Sequence, residues 1–145
     1  MPVGQILLDE ACAHDDGLDE RGSIIAVVAT DAPLLPHQLR RLARRIGLGM
    51  GRSGAISGHG SGDIFMAFST ANAQALHDEP TVATATFIPN AALDPIFAAV
   101  IQAVDEAILN AMVANETMQG FEGRTIEALP RDRVAEILQE RGVVA

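Results

Sequence analysis

A run of six apolar residues, 24–29, is the feature that most constrains how this chain can fold. The run is Ile-Ile-Ala-Val-Val-Ala, and it follows an acidic, glycine-broken segment that predicts an irregular loop. A continuous apolar run rich in β-branched residues is typical of a strand buried on both faces. Residues 64–69 and 82–88 predict a second and a third strand.

A helix is predicted directly after the first strand. Residues 36–46 carry leucine and isoleucine at helical spacing behind a proline that suits a first turn. Gly47 predicts the end of this helix. The glycine-rich stretch that continues to residue 62 predicts irregular backbone, because glycine is a poor helix former.

Two further helices follow the strands. Asp94 and Pro95 supply a cap and a first-turn proline for a long helix that is expected to end near Gly120. A last helix is predicted over 130–142. This order indicates an α/β or α+β fold, in which the helices cover one face of the sheet well and the other poorly.

Composition and charge exclude several classes of partner. The 145 residues are 48% hydrophobic, which is enough for one domain with its own core. The formal net charge of −9 disfavours nucleic acids and anionic membranes, because phosphate binding requires clustered Lys and Arg. The one basic cluster has the spacing of a solvated helix face and consists of Arg40, Arg41, Arg44 and Arg45.

The single cysteine, Cys12, excludes a disulfide within the chain. The N-terminal residues lack the basic segment and long apolar run of a signal peptide. We also find no apolar stretch that approaches the ~20 residues of a membrane span. A cytoplasmic protein is therefore expected.

Several familiar motifs are present only in part. Residues 49–54 match G-x-G-x-x-G, but a dinucleotide site requires a strand before this motif and a helix after it. Ser61 lies in Gly-His-Gly-Ser-Gly-Asp, which is not the G-x-S-x-G of a nucleophile elbow. The nearby His59 is interpreted as an exposed loop residue. Because no Cys/His cluster has metal-site spacing, we expect no metal ion.

The Gly22-Ser23 junction has the layout that a self-processing chain requires. A small polar residue opens the first strand, and a glycine and an acidic loop precede it. The Ser23 hydroxyl could attack the carbonyl of Gly22, where the missing side chain leaves the approach free. Cleavage would give Ser23 a free α-amine with a pKa of roughly 7.7–8.0. Hydroxyl and base could then share one residue, or a neighbouring group could activate the hydroxyl.

Three segments resemble one known family, the DmpA-like L-aminopeptidase/D-amidase-esterases, which include the β-peptidyl aminopeptidases. They are GSIIAVVATDAPLLP at 22–36, SGDIF at 61–65 and NAMVANETMQG at 110–120. The resemblance runs over about residues 1–130 in the family's order. It implies an αββα sandwich related to N-terminal-nucleophile hydrolases and oligomeric assembly. It also implies hydrolysis of N-terminal residues from peptides, amides or esters, with no cofactor.

Carried over by motif, the resemblance implies roles for individual residues. Ser23 would be the nucleophile, released by cleavage between Gly22 and Ser23. Ser61 and Asp63 would be its catalytic partners, with Asp63 either holding the new amine protonated or accepting a proton. Some members of the family carry Glu at the acid position. Residues 1–22 would end the first subunit, and 23–145 would form the second, nucleophile-bearing subunit.

Most of the family's first subunit has no counterpart in this sequence. In the family, that subunit supplies oxyanion-hole donors, much of the substrate pocket and a layer of the sandwich. We therefore expect an exposed apolar sheet face and a requirement for the missing segment as partner. Two alternatives remain open: a non-catalytic α/β interaction protein or inactive fragment that keeps the family fold, and a self-cleaving acyltransferase like the ornithine acetyltransferases. The latter use threonine as the nucleophile, against which Ser23 argues.

Overall fold

The computed structural model describes residues 6–7, 22–76 and 82–143; the predicted acidic loop and Cys12 lie outside them. The main elements are β1 (Ile25–Thr30), α1 (Pro36–Arg52), β2 (Ile64–Ser69), α2 (Asp94–Ala114), β3 (Met118–Gln119), β4 (Thr125–Ile126) and α3 (Arg131–Glu140). The chain divides within α2 into one unit that ends at Leu109 and one that resumes at Asn110. The predicted mixture of strands and helices is present.

Strands β1 and β2 pair in parallel, with a register that runs from Ile25 opposite Ile64 to Thr30 opposite Ser69. Burial alternates along both strands. The prediction that both faces are buried is therefore wrong, because the helices described here cover only one face. The expectation of an exposed apolar face is confirmed. This outer sheet face consists of Ile25, Val27, Ile64, Met66 and Phe68, whose exposed fractions run from 43% to 73%.

The inner sheet face packs against α1 and α2. Its side chains, Ala26 and Val28 from β1 and Phe65 and Ala67 from β2, contact a single buried cluster. That cluster consists of Leu34, Leu42, Ile46, Met50, Leu93, Phe97, Val100 and Val104. The helical spacing of these residues explains why the amphipathic pattern identified both helices.

Helix α1 continues to Arg52, past the predicted end at Gly47. The prediction failed because glycine propensity is a small term, about 1 kcal/mol per residue, that packing can outweigh. Gly49 is buried, and a Cβ built on it would lie 2.7 Å from Val104 Cβ and 2.9 Å from the Ile101 carbonyl oxygen. A glycine at this position lets α1 approach α2 more closely than any side chain would allow.

The predicted third strand at 82–88 does not form. Its backbone pairs with a side chain instead: Asn72 Oδ1 accepts from the Thr86 N–H at 2.9 Å, and Asn72 Nδ2 donates to the Thr86 carbonyl at 3.0 Å. The Ile88 N–H donates to the Pro33 carbonyl at 3.0 Å. These bonds satisfy the backbone of Thr86 and the Ile88 N–H without a neighbouring strand.

The arginine cluster on α1 is only half solvated. Arg40 and Arg44 are exposed, as predicted, but the guanidinium groups of Arg41 and Arg45 lie 4.9 and 3.9 Å from the Phe97 ring centroid. The interpretation of all four as solvated was therefore wrong for these two. Their stems and charges cover a core aromatic ring, a favourable cation–π arrangement.

Helix α2 begins at Asp94, as predicted, and ends at Ala114, before the predicted end near Gly120. Its length and mean hydropathy of 1.6 also satisfy the criteria for a membrane-spanning helix, which the sequence had not led us to expect. Phe97, Val100 and Val104 are nevertheless buried in the core cluster. The helix therefore packs as a core helix along this side.

Beyond Asn110, β3 and β4 form a short antiparallel hairpin. Helix α3 follows Pro130, as predicted, and buries Ile137. The Arg131 guanidinium donates to the Val113 carbonyl at 3.3 Å, which ties the start of α3 to the end of α2.

Two glycines on α1 provide a matched test of the close approach between the helices. Gly49→Ala should lower the free energy of unfolding by about 1–3 kcal/mol, because the backbone oxygen that a Cβ would meet cannot rotate away. Gly51 has open space around its Cβ position, so Gly51→Ala should be neutral or stabilising by up to ~1 kcal/mol. Urea unfolding of both variants checks this, and equal effects would contradict it.

Candidate active site

The parallel register brings the amino ends of β1 and β2 together. The Ile64 N–H donates to the Ile24 carbonyl at 2.9 Å, one step before the first paired residues. Continued backwards, this pairing sets Asp63 beside Ile24 and Gly62 beside Ser23. Two residues that are 39 apart in sequence therefore become neighbours.

Ser23 is exposed at this edge, and its hydroxyl is held by backbone. The Gly62 N–H donates to Ser23 Oγ at 3.0 Å. A Cβ on Gly62 would lie 3.1 Å from Ser23 Oγ, closer than such contacts normally are, and 3.7 Å from Ser23 Cβ, an ordinary contact distance. The lack of a side chain at position 62 therefore permits this hydrogen bond. An N–H directed at a hydroxyl oxygen also stabilises negative charge that develops there.

Asp63 lies half-buried beside the next residue of the same strand. Its Oδ1 accepts from the Ile24 N–H at 3.1 Å. Hydrogen bonds from the Ser61 side chain, the Ile24 N–H and the Ser57 side chain, in that order of size, hold the Asp63 pKa below its ordinary value, although partial desolvation opposes them. Asp63 is therefore a carboxylate at neutral pH.

These residues share a cleft of about 290 Å³. Its polar side consists of Ser23, Ser53, Ser57, Ser61 and Asp63, together with Gly22. Its apolar side consists of Ile24, Met50, Ala55 and Ile108. From residues 22–76 and 82–143 the cleft therefore receives one negative charge, several hydroxyl groups and an apolar wall, and no cationic side chain of these residues lines it.

The end of α1 is fixed beside the cleft by Asp105 of α2. One carboxylate oxygen accepts from Ser53 Oγ at 3.0 Å, and the other pairs with Arg52 Nε at 2.9 Å. Met50 and Ser53, which line the cleft, are thus anchored to α2. The rim is built by the same contact between helices that requires Gly49.

Ser23, Ser61 and Asp63, which sequence reasoning selected, all line one cleft, and Ser23 is not sealed within the sheet. His59 is exposed and is not among the lining residues. The G-x-G-x-x-G segment lies in the last turns of α1 and the residues after it, not between a strand and a helix. Within 22–76 and 82–143, no group of three His, Cys, Asp or Glu side chains could hold a metal ion.

Sequence reasoning did not select Gly62, which lies beside Ser23, or Ser57, which lines the cleft. Gly62 contributes only backbone, so its importance appears once the distance to Ser23 is known. Ser57 contacts Asp63 from six residues away, in a segment whose glycines predicted only irregular structure. The one sequence signal for Ser57 was that each serine in the segment before β2 is followed by a glycine.

Comparison with known proteins agrees with this site. The chain is 51% identical over 119 residues to the beta-peptidyl aminopeptidase BapA of Sphingosinicella microcystinivorans, covering 82% of this chain and 30% of that protein. It is 40% identical over 123 residues to BapA of Sphingosinicella xenopeptidilytica, covering 84% of this chain and 31% of that protein. The chain thus spans less than a third of the length of these relatives.

The fold matches a solved structure as well. The L-aminopeptidase D-Ala-esterase/amidase of Ochrobactrum anthropi, described as a prototype of the serine aminopeptidases and a variant of the Ntn hydrolase fold, superposes with a TM-score of 0.78. The sequences are 38% identical, and the match covers 99% of this chain and 39% of that one. The predicted fold class and the resemblance are both confirmed. The profile of Peptidase family S58 matches residues 1–126, and the chain belongs to that family.

Proposed function

We propose that this chain carries the self-processing nucleophile of a serine aminopeptidase/amidase, with Ser23 as the nucleophile. One observation carries the proposal: the exposed Ser23 hydroxyl accepts a backbone hydrogen bond from Gly62 in a cleft that it shares with Ser61 and Asp63. Membership of Peptidase family S58 supports the same chemistry.

Processing would begin within the chain. Ser23 Oγ attacks the carbonyl carbon of Gly22 and loses its proton, the peptide C–N bond breaks, and the nitrogen, which keeps its own hydrogen, accepts that proton and becomes the α-amine of Ser23. The ester formed between Gly22 and Ser23 Oγ is then hydrolysed by water, which leaves a carboxylate on Gly22. Gly22 is exposed, and a Cβ there would meet nothing within 4 Å, so the site offers room for the attack.

The new amine is the best candidate for the general base. An efficient base has a pKa near the working pH, and a free α-amine, at roughly 7.7–8.0, meets this condition. Asp63 does not, because hydrogen bonds from Ser61, Ile24 and Ser57 lower its pKa. We therefore assign Asp63 to electrostatic support of the ammonium form of Ser23, which lies one residue from the amide that Asp63 already binds.

In each turnover the amine would take the proton from Ser23 Oγ as the oxygen attacks the substrate carbonyl. The amine would return that proton to the leaving amine or alcohol, and water would hydrolyse the acyl-enzyme by the same route. Ser61, whose side chain hydrogen-bonds Asp63, would keep the carboxylate oriented. The apolar wall of Met50 and Ile108 would receive an apolar part of the substrate. These steps suit N-terminal residues of peptides, amides or esters.

We also propose a partner for the outer sheet face. The relatives are more than three times as long as the matched region, and this chain leaves one sheet face apolar and exposed. A polypeptide that corresponds to the first subunit would cover this face and supply oxyanion-hole donors, each of which commonly contributes ~10²–10³ in rate. Residues 1–22 would belong to that subunit and 23–145 to the second, and the assembled enzyme would be an oligomer.

Removal of the Ser23 hydroxyl should abolish processing. Expressed with the first subunit of a homologue, the chain should yield a fragment whose mass corresponds to a start at Ser23, and Ser23→Ala should remain uncut. Thr84→Ala, which removes an exposed hydroxyl outside the cleft, should be cut normally. Intact mass spectrometry distinguishes these outcomes. A wild-type chain that stays uncut would favour a non-catalytic interaction protein instead.

Asp63 should make stability depend on pH in the acid range. Because its pKa is lower in the folded state, its stabilising contribution is complete above its ordinary value of 3.8 and is lost as the pH falls through the lower folded-state value. Asp63→Asn should therefore be less stable than wild type at pH 7, with a difference that shrinks below pH 3.8. Urea unfolding at several pH values measures this, and a difference that does not change with pH would contradict it.

The outer sheet face should govern association. Alone, the wild-type chain should self-associate, whereas the double variant Val27→Lys/Met66→Lys should stay monodisperse in light scattering. The double variant should bind a homologue's first subunit about 10²-fold more weakly or worse, because unpaired charges are costly to bury. Thr84→Lys is the control for added charge. Unchanged binding by the double variant would show that this face is not the one covered.

A further inference from the structure

Ser57 has an unusual backbone conformation next to the proposed acid. Its φ is 49°, in the left-handed region, and in the described part of the chain only Asn72 and Glu122 share a positive φ among non-glycine residues. Residues with a Cβ rarely adopt this region, and asparagine does so more readily than serine. Such conformations persist where the surrounding structure enforces them, and they cluster at functional sites.

The Ser57 side chain has a defined target. It lines the same cleft as Ser23 and Asp63, and the Ser57 hydroxyl is one of the groups that lower the pKa of the Asp63 carboxyl. The chain reverses between these residues through a turn closed by the Ser61 N–H, which donates to the Gly58 carbonyl at 2.9 Å. The left-handed residue thus stands at the entry of the turn that returns the chain to Asp63.

We propose that Ser57 is a positioning residue, whose strained backbone directs its hydroxyl at Asp63 and holds that carboxylate beside the amino end of β1. This inference rests on the proposed function, in which Asp63 supports the Ser23 amine. Aspartate has a short side chain, so its reach depends on where its oxygens are held. The Ile24 N–H binds Oδ1, and the hydroxyls of Ser61 and Ser57 complete the set of donors.

Within residues 22–76 and 82–143, no charged side chain other than Asp63 lines the cleft. His59 lies exposed in the same loop, and Arg52 at the end of α1 is paired with Asp105 of α2 at 2.9 Å. None of these three side chains lines the cleft. A change in the titration of Asp63 on substitution of Ser57 would therefore report the lost hydroxyl and not a rearranged ion pair.

Three substitutions separate the hydroxyl from the backbone strain. Ser57→Ala removes the hydroxyl and keeps the strain, Ser57→Gly removes both, and Ser57→Asn keeps a donor on a residue that tolerates a positive φ. We expect Ser57→Gly to unfold at a higher temperature than Ser57→Ala. In both, the Asp63 pKa should rise towards 3.8, and Ser57→Asn should partly restore the lower value.

Carboxyl carbon NMR titration of Asp63 in the full chain, assigned with Asp63→Asn, measures this pKa without any catalytic activity. In the processed enzyme, kcat should fall by up to ~10²-fold for Ser57→Ala while KM stays nearly constant, because a misplaced catalytic group slows the reaction more than binding. An unchanged Asp63 titration in both Ser57→Ala and Ser57→Gly would overturn the proposal. An uncut wild-type chain with a shifted titration would instead overturn the proposed function alone.

Discussion

The pairing of β1 with β2 in parallel register is the interaction on which the candidate site depends. This register sets Ser23 against Gly62 and Ile24 against Asp63, and it requires the hydrogen bond from the Ile64 N–H to the Ile24 carbonyl. A shift by one residue would turn every side chain of β2 to the opposite face and separate the hydroxyl from its backbone donor. Burial of Phe65 and Ala67 against the core fixes the register, so the hydrophobic core determines the geometry of the site.

The site lies at the amino edge of these strands, whereas ligands of parallel sheets usually bind at the carboxyl edge. The proposed chemistry gives a reason. In this chemistry the nucleophile becomes the first residue of a chain and leads directly into a strand. Such a residue lies at the amino edge of the sheet. The same strand then holds the new terminus in place through its backbone ladder. The Ile24 N–H, bound by Asp63, connects the strand directly to the acid.

The helices contribute to the cleft through a chain of close contacts. Gly49 lets α1 approach α2, and Asp105 fixes the end of α1 through Ser53 and Arg52. Met50 and Ile108 then form part of the apolar wall. The outer sheet face has no such cover within the described residues, and this asymmetry is the physical basis for proposing a second polypeptide there. The hydroxyl of Ser57, a residue with strained backbone, is proposed as a further donor that holds the Asp63 carboxylate.

The sequence by itself determined the helices, β1 and β2, because apolar periodicity is a local property, and the resemblance to the family selected Ser23, Ser61 and Asp63 as candidates. It failed where tertiary contacts overrode local preference: α1 continues through Gly47 and Gly49, and within 82–88 the backbone of Thr86 pairs with the Asn72 side chain instead of a strand. Only the tertiary structure decided which sheet face is covered, that Gly62 donates to Ser23, and that Ser57 reaches Asp63. These facts depend on distances between residues far apart in sequence, or on a single backbone angle, and no local pattern of residue types encodes either one.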